Sequence, residues 1–103
     1  MKVYLSPLAE LKLELLIEYL VSEWGKPSKE KFLNKLETTI DRISKFPDSN
    51  PKSNELGGIY KCVVSKQTSL FYRIKNDEVE IITIFYNRQD PKKINQEIQR
   101  HFA

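Results

Sequence analysis

The apolar residues of this chain change period between Phe46 and Ile59, and that change restricts what it can fold into. Up to Phe46 they recur at three- and four-residue intervals. From Ile59 to Tyr86 they crowd into short runs rich in Val, Ile, Phe, Tyr and Thr, and Pro47, Pro51, Gly57 and Gly58 stand between the two regimes. The first spacing lines one face of a helix and the second suits strands. Helices followed by strands, rather than alternating with them, predict an α+β chain in which a helical layer covers a small antiparallel sheet.

The opening Lys2 to Leu5 is short and β-prone, and Ser6-Pro7 supplies a capping residue followed by the first-turn proline that starts a helix. From Pro7 to Trp24, Ala9, Leu13, Leu16, Ile17, Leu20, Val21 and Trp24 form one apolar stripe, expected to face the core. Leu8, Leu11, Leu15 and Tyr19 form a second stripe on another side of the same helix. Gly25 then offers a helix terminus and Pro27-Ser28 a restart, which predicts a helical hairpin. In the second helix, from about Ser28 to Phe46, Phe32, Leu36, Ile40 and Ile43 share one side, while Lys29, Lys31, Lys35, Glu37 and Asp41 read as a solvated face. Pro47 to Asn54 is dense in turn formers. Three strands follow, Ile59 to Ser65, Ser69 to Lys75 and Val79 to Tyr86. The joints Lys66-Gln67-Thr68 and Asn76-Asp77-Glu78 are of hairpin length, so an antiparallel meander is expected. Asp90-Pro91 with Ile94, Ile98 and Phe102 predicts a short amphipathic helix at the end. The order is β-α-α-β-β-β with a C-terminal helix, and 103 residues suit one domain.

Composition bounds the partners. The net charge is +3, and the excess lies in the second half, from Lys52 onward. This is compatible with a nucleic-acid partner but falls short of a dense basic stripe. One cysteine, Cys62, and one histidine, His101, exclude an internal disulfide and a structural Cys/His zinc site. No metal or other cofactor is implied. Nothing approaches a membrane-spanning apolar run and the start lacks a signal-peptide core, so a cytoplasmic, non-membrane protein is expected.

The residues that carry chemistry lie on the strands. If no bulge interrupts the last strand, its two-residue period puts Arg88 on the face of Ile82, Ile84 and Tyr86. There a guanidinium can clamp phosphate beside a tyrosine ring, or simply pair with Asp90. Lys61 and Arg73 each interrupt an apolar strand and point away from their immediate neighbours. With Lys66 and Arg88 they form either a basic patch or the ordinary solvated side of a half-buried sheet. Cys62 reads as a small core residue, and His101, in the terminal helix, as a surface histidine or a general base.

The order of Trp24-Gly25 at the hairpin bend, the Phe46-Pro47 loop, Gly57-Gly58-Ile59-Tyr60-Lys61, Leu70-Phe71-Tyr72-Arg73-Ile74 and Asn87-Arg88-Gln89-Asp90-Pro91 resembles the RelE/ParE toxin superfamily over nearly the whole chain. The resemblance implies the toxin of a type II toxin–antitoxin system, neutralised by a cognate antitoxin, as a hetero-oligomer or alongside a homodimer. RelE-like members cleave messenger RNA in the ribosome with basic strand residues and a C-terminal Tyr or His. On that pattern Lys61 and Arg88 match, and Arg73, Tyr86 and His101 are further catalytic candidates. Val63 replaces a second lysine, Ser69 or Leu70 a third-strand arginine, and Ile94 the terminal tyrosine. Losing a transition-state cation and a proton-transfer residue costs about 10²-fold or more each. ParE-like members, with a longer hairpin and the R-x-D-P close, are the better match and imply inhibition of DNA gyrase without a catalytic set. Lys61, Lys66, Arg73, Tyr86 and Arg88 are then target-binding candidates. A degenerate, non-toxic binding module is the third reading. The second stripe, Leu8, Leu11, Leu15 and Tyr19, is either the antitoxin-binding row or a dimer contact, or is buried under the second helix.

Overall fold

In a computed structural model, which describes residues 1–52, 57–86 and 91–102, the chain runs β1 (Lys2–Leu5), α1 (Pro7–Trp24), α2 (Lys26–Lys45), β2 (Tyr60–Ser65), β3 (Thr68–Lys75), β4 (Glu78–Tyr86) and α3 (Pro91–Phe102). The α+β architecture and element order expected from the sequence are found. The sheet order is β1-β4-β3-β2. The last three strands form the antiparallel meander, whereas β1 joins parallel to β4, pairing Lys2 with Glu78 through Leu5 with Ile81. Asn76 and Asp77 turn the β3–β4 hairpin with φ of 53° and 60°, the left-handed pair that matches strand twist and that Asn and Asp tolerate.

Ser6 joins β1, α1 and β4. Its side chain accepts the Ala9 amide at 3.0 Å as the cap of α1, and its hydroxyl donates to the Ile82 carbonyl at 2.6 Å. Its own amide donates to Ile81 O at 2.9 Å. Ile82 is the extra residue of a β-bulge, since Tyr72 pairs with Ile81 and Phe71 with Thr83. The bulge interrupts the ladder, and the Ser6 hydroxyl takes up the carbonyl exposed there.

The helical hairpin turns at Gly25, whose φ of 83° is a region glycine enters without a Cβ clash. Helix α2 starts at Lys26, two residues before the sequence expectation, because Ser28 does not cap it. The Ser28 hydroxyl instead donates back across the bend, to Leu20 O at 3.0 Å and Gly25 O at 2.6 Å. One core lies between hairpin and sheet and is built from Ala9, Leu16, Phe32, Leu36 and Ile43 against Tyr60, Cys62, Leu70, Tyr72, Val79, Ile81 and Ile84. Trp24 departs from the expected core stripe: it is 70% exposed, at the last residue of α1, where the helix ends beyond the packed turns. A second, smaller core on the opposite sheet face joins Ile59, Phe71, Ile82 and Phe85 to Ile98 of α3. Nearly every residue of β4 is therefore buried.

The loop after α2 is pinned to the first core. The Tyr72 hydroxyl donates to Pro47 O and accepts from Asn50 Nδ2, while its ring stacks on Tyr60 at 5.1 Å. Burial raises the pKa of that hydroxyl above its ordinary 10.0.

Replacing Ser6 with Ala removes a helix cap and leaves the bulge carbonyl unpaired. Together these are expected to cost about 2–4 kcal/mol in urea unfolding. A loss below about 0.5 kcal/mol, the usual surface effect, would show that the bulge stands without Ser6.

Candidate functional site

The bulge at Ile82 reverses the alternation of β4 midway, so the sequence expectation that Ile82, Ile84 and Tyr86 share a face is corrected. Ile82 packs in the small core under α3, and Ile84 and Tyr86 pack with the hairpin. Arg88 and Asp90 lie outside the described residues, as do the side chains of Ile94, His101 and Phe102.

Lys61 and Arg73 occupy the sheet face opposite the hairpin, since Tyr60, Cys62 and Tyr72 beside them face it. Lys61 is exposed. Arg73 is half-buried and its Nε donates to Glu80 Oε1 at 2.6 Å, across the ladder from its paired residue. A guanidinium so engaged has part of its donor fork committed to a carboxylate. Of the strand positions that depart from the nuclease pattern, Val63 and its paired residue Ser69 lie on the same face, whereas Leu70 packs in the core under the hairpin. Val63 is 59% exposed, and Ser69 and Leu70 are buried, with Ser69 Oγ finding no hydrogen-bond partner among the described residues. Cys62 lies in the core, with Arg42 Nη2 donating to its sulfur at 3.3 Å. Among the described residues no group of three or more His, Cys, Asp or Glu clusters as a metal site, and no helix is long and apolar enough to cross a membrane.

Tyr86 is on the other side of the sheet, half-buried, with its ring edge-on to Tyr19 of α1 at 5.5 Å. The structure therefore does not bring Tyr86 together with Lys61 and Arg73, and Lys66 stands apart from them in the exposed β2–β3 turn. Beside Tyr86 opens a cleft of about 310 Å³ between the hairpin bend and the β2–β3 turn. Leu20 and Phe32 form its apolar part, Trp24 and Tyr86 flank it, and Lys31 and Lys35 of α2 stand at its rim. Ser65, Gln67 and Thr68 close the strand side. Nothing in the sequence marked Lys31 and Lys35, which have the spacing of a solvated helix face.

The second stripe of α1 is not covered by α2. Leu11 is 53% and Leu15 52% exposed, Tyr19 is exposed as well, and Leu8 is half-buried. Burial under the second helix, one of the three sequence readings, is thereby excluded for Leu11, Leu15 and Tyr19. An open apolar row of this kind on a helix is the usual mark of a contact surface.

The two sheet cations differ in structural weight. Glu80→Ala leaves a half-buried guanidinium without its carboxylate and is expected to destabilise the fold by about 1–3 kcal/mol, whereas Lys61→Ala should stay within about 0.5 kcal/mol. Urea unfolding of both variants tests this, and equal losses would reject it.

The comparisons with known proteins agree with this geometry. The family model described as "ParE toxin of type II toxin-antitoxin system, parDE" matches residues 3–91. Toxin ParE1 of Mycobacterium tuberculosis is 26% identical over 87 residues, covering 84% of this chain and 89% of that protein. Among solved structures, the chromosomal ParDE toxin–antitoxin system from P. aeruginosa superposes with a TM-score of 0.72 at 16% identity, over 84% of this chain and 95% of the other. The isolated E. coli RelE toxin does so with a TM-score of 0.58 at 14% identity, over 99% and 98%. These structural likenesses carry the fold, which both branches share; the family model carries the branch. On a match that spans most of its length, the chain belongs to the ParE toxin family of type II toxin–antitoxin systems.

Proposed function

We propose that this toxin acts in the cytoplasm by binding DNA gyrase, an essential protein–nucleic-acid machine, without cutting a bond itself, and that a cognate antitoxin silences it by covering the outer row of α1. The observation that carries the reading is the Arg73–Glu80 pair at 2.6 Å. Phosphodiester cleavage needs cations free to meet charge that develops in the transition state. One strand cation is committed here to a carboxylate, and the second strand-two position holds Val63. A surface that only binds tolerates such pairing. Family membership and the ParDE likeness support an antitoxin partner, and the exposed Leu11, Leu15 and Tyr19 give that partner a row of helix-spaced anchors.

Expression without an antitoxin is expected to arrest growth with DNA-damage signalling, and the purified chain to inhibit gyrase supercoiling. Codon-linked cuts in translated messages, with gyrase unaffected, would overturn the reading in favour of a ribosome-dependent nuclease.

The antitoxin contact has its own test. Leu11→Glu with Leu15→Glu changes two exposed positions, so the fold should persist by circular dichroism. The antitoxin should bind on the order of a hundredfold more weakly, the equivalent of about 2–3 kcal/mol of lost burial. Unchanged affinity in the folded variant rejects the docking row.

A further inference from the structure

We propose that the cleft at the hairpin bend is a second docking site, and that it takes a short peptide segment of a protein partner in which an acidic residue sits beside a bulky apolar one. Three observations meet there. The first is charge. Lys31 and Lys35 are exposed on successive turns of α2, and no Asp or Glu is among the described residues lining the cleft. Like charges four residues apart repel and weaken a helix slightly, so this rim is an arrangement that helix stability alone does not favour. It complements a carboxylate.

The second observation is apolar. Leu20 and Phe32 line the interior, and Trp24, the chain's single tryptophan, stands at one wall with most of its surface in water. Tryptophan is among the residue types enriched where partners bind tightly. The cleft's volume, about 310 Å³, is at the bottom of the range for ligand pockets. That space suits one or two side chains of an incoming segment better than an enclosed cofactor.

The third is continuity. Tyr86, on the wall of the cleft, meets Tyr19 edge-on at 5.5 Å, and Tyr19 ends the open row that begins at Leu11. A chain lying along α1 would reach the cleft without leaving apolar surface. The proposal uses that continuity but does not require the α1 row to be the antitoxin's contact. A nucleic-acid strand fits less well, because it needs a track of cations following the backbone. Here two lysines flank an apolar pocket.

Trp24 supplies the readout. The full chain is titrated with an acetylated decapeptide that alternates glutamate with leucine and phenylalanine and contains no tryptophan or tyrosine, following Trp24 emission. The expected result is a saturable emission change. Affinity should fall by about tenfold when glutamine replaces glutamate in the peptide, or when the protein carries Lys31→Glu with Lys35→Glu, as two exposed ion pairs would give. Lys29→Glu, on the same helix but outside the cleft, should leave affinity unchanged. The proposal is overturned if the emission does not change, or if the neutral peptide binds equally well. It is also overturned if the Lys29→Glu variant weakens binding as much as the double variant, or if a short oligothymidylate saturates the same signal more tightly than the peptide. None of these outcomes depends on gyrase inhibition or on antitoxin binding, so the failure of either reading is visible separately.

Discussion

The hydroxyl of Ser6 is the contact on which the rest of the arrangement depends. One oxygen caps α1 and closes the carbonyl exposed by the Ile82 bulge. A bulge bends its strand and shifts which side chains face which layer. Because the shift falls in the middle of β4, the central strand faces the hairpin through Val79 and Ile81 in one half and through Ile84 in the other. Phe85 is thereby brought to the same face as Ile82, opposite the hairpin, where Ile98 covers them. One extra residue thus sets which core the far half of β4 joins on each face, and one serine takes up the carbonyl at that point.

That division separates two surfaces of different character. The face opposite the hairpin, on which α3 packs, presents Lys61 and the Arg73–Glu80 pair, and is bounded by the exposed Val63. The hairpin side presents the open row of α1 and, beyond Tyr86, the lysine-rimmed cleft. A mixed sheet with the hairpin on one side and α3 on the other offers more than one contact surface without enlarging the chain. The fold is common to ParE and RelE proteins, so what distinguishes one from another is the decoration of these surfaces. Here, among the described residues, Arg73 is engaged by a carboxylate, and Leu11, Leu15 and Tyr19 leave an apolar row of α1 exposed.

Much of this was legible in the sequence. The core faces of the two helices have a clean period, Ser6-Pro7 is a recognisable cap, and the Asn76-Asp77 joint has the composition its left-handed turn requires. The bulge was not legible, because Ile81 to Phe85 is apolar or β-branched throughout. A strand buried on both faces carries no alternation for an extra residue to disturb. The parallel pairing of β1 rests on contacts some seventy-six positions apart, from Lys2 to Glu78, which no local pattern encodes. Trp24 continued the stripe in spacing but lies where the helix has outrun its support. Lys31 and Lys35 look like any solvated lysines until the β2–β3 turn is brought beside them. The placement of Lys61 and Arg73 on the face away from their neighbours followed directly from strand alternation, while the carboxylate that engages Arg73 came from register.

The pairing of the first strand with the last has a bearing on how the molecule comes into being. During synthesis β1 emerges before the hairpin and the other strands, yet its hydrogen-bonding partner is β4, so its edge stays unmatched until β4 has been made. The hairpin can form early from local contacts, but the sheet it must cover cannot close, and such long-range pairing is slow. A nascent or truncated copy therefore lacks both the Ser6 contact and the two-sided core. The folded shape of the toxin domain therefore exists only once β4 has been made and has taken its place between β1 and β3.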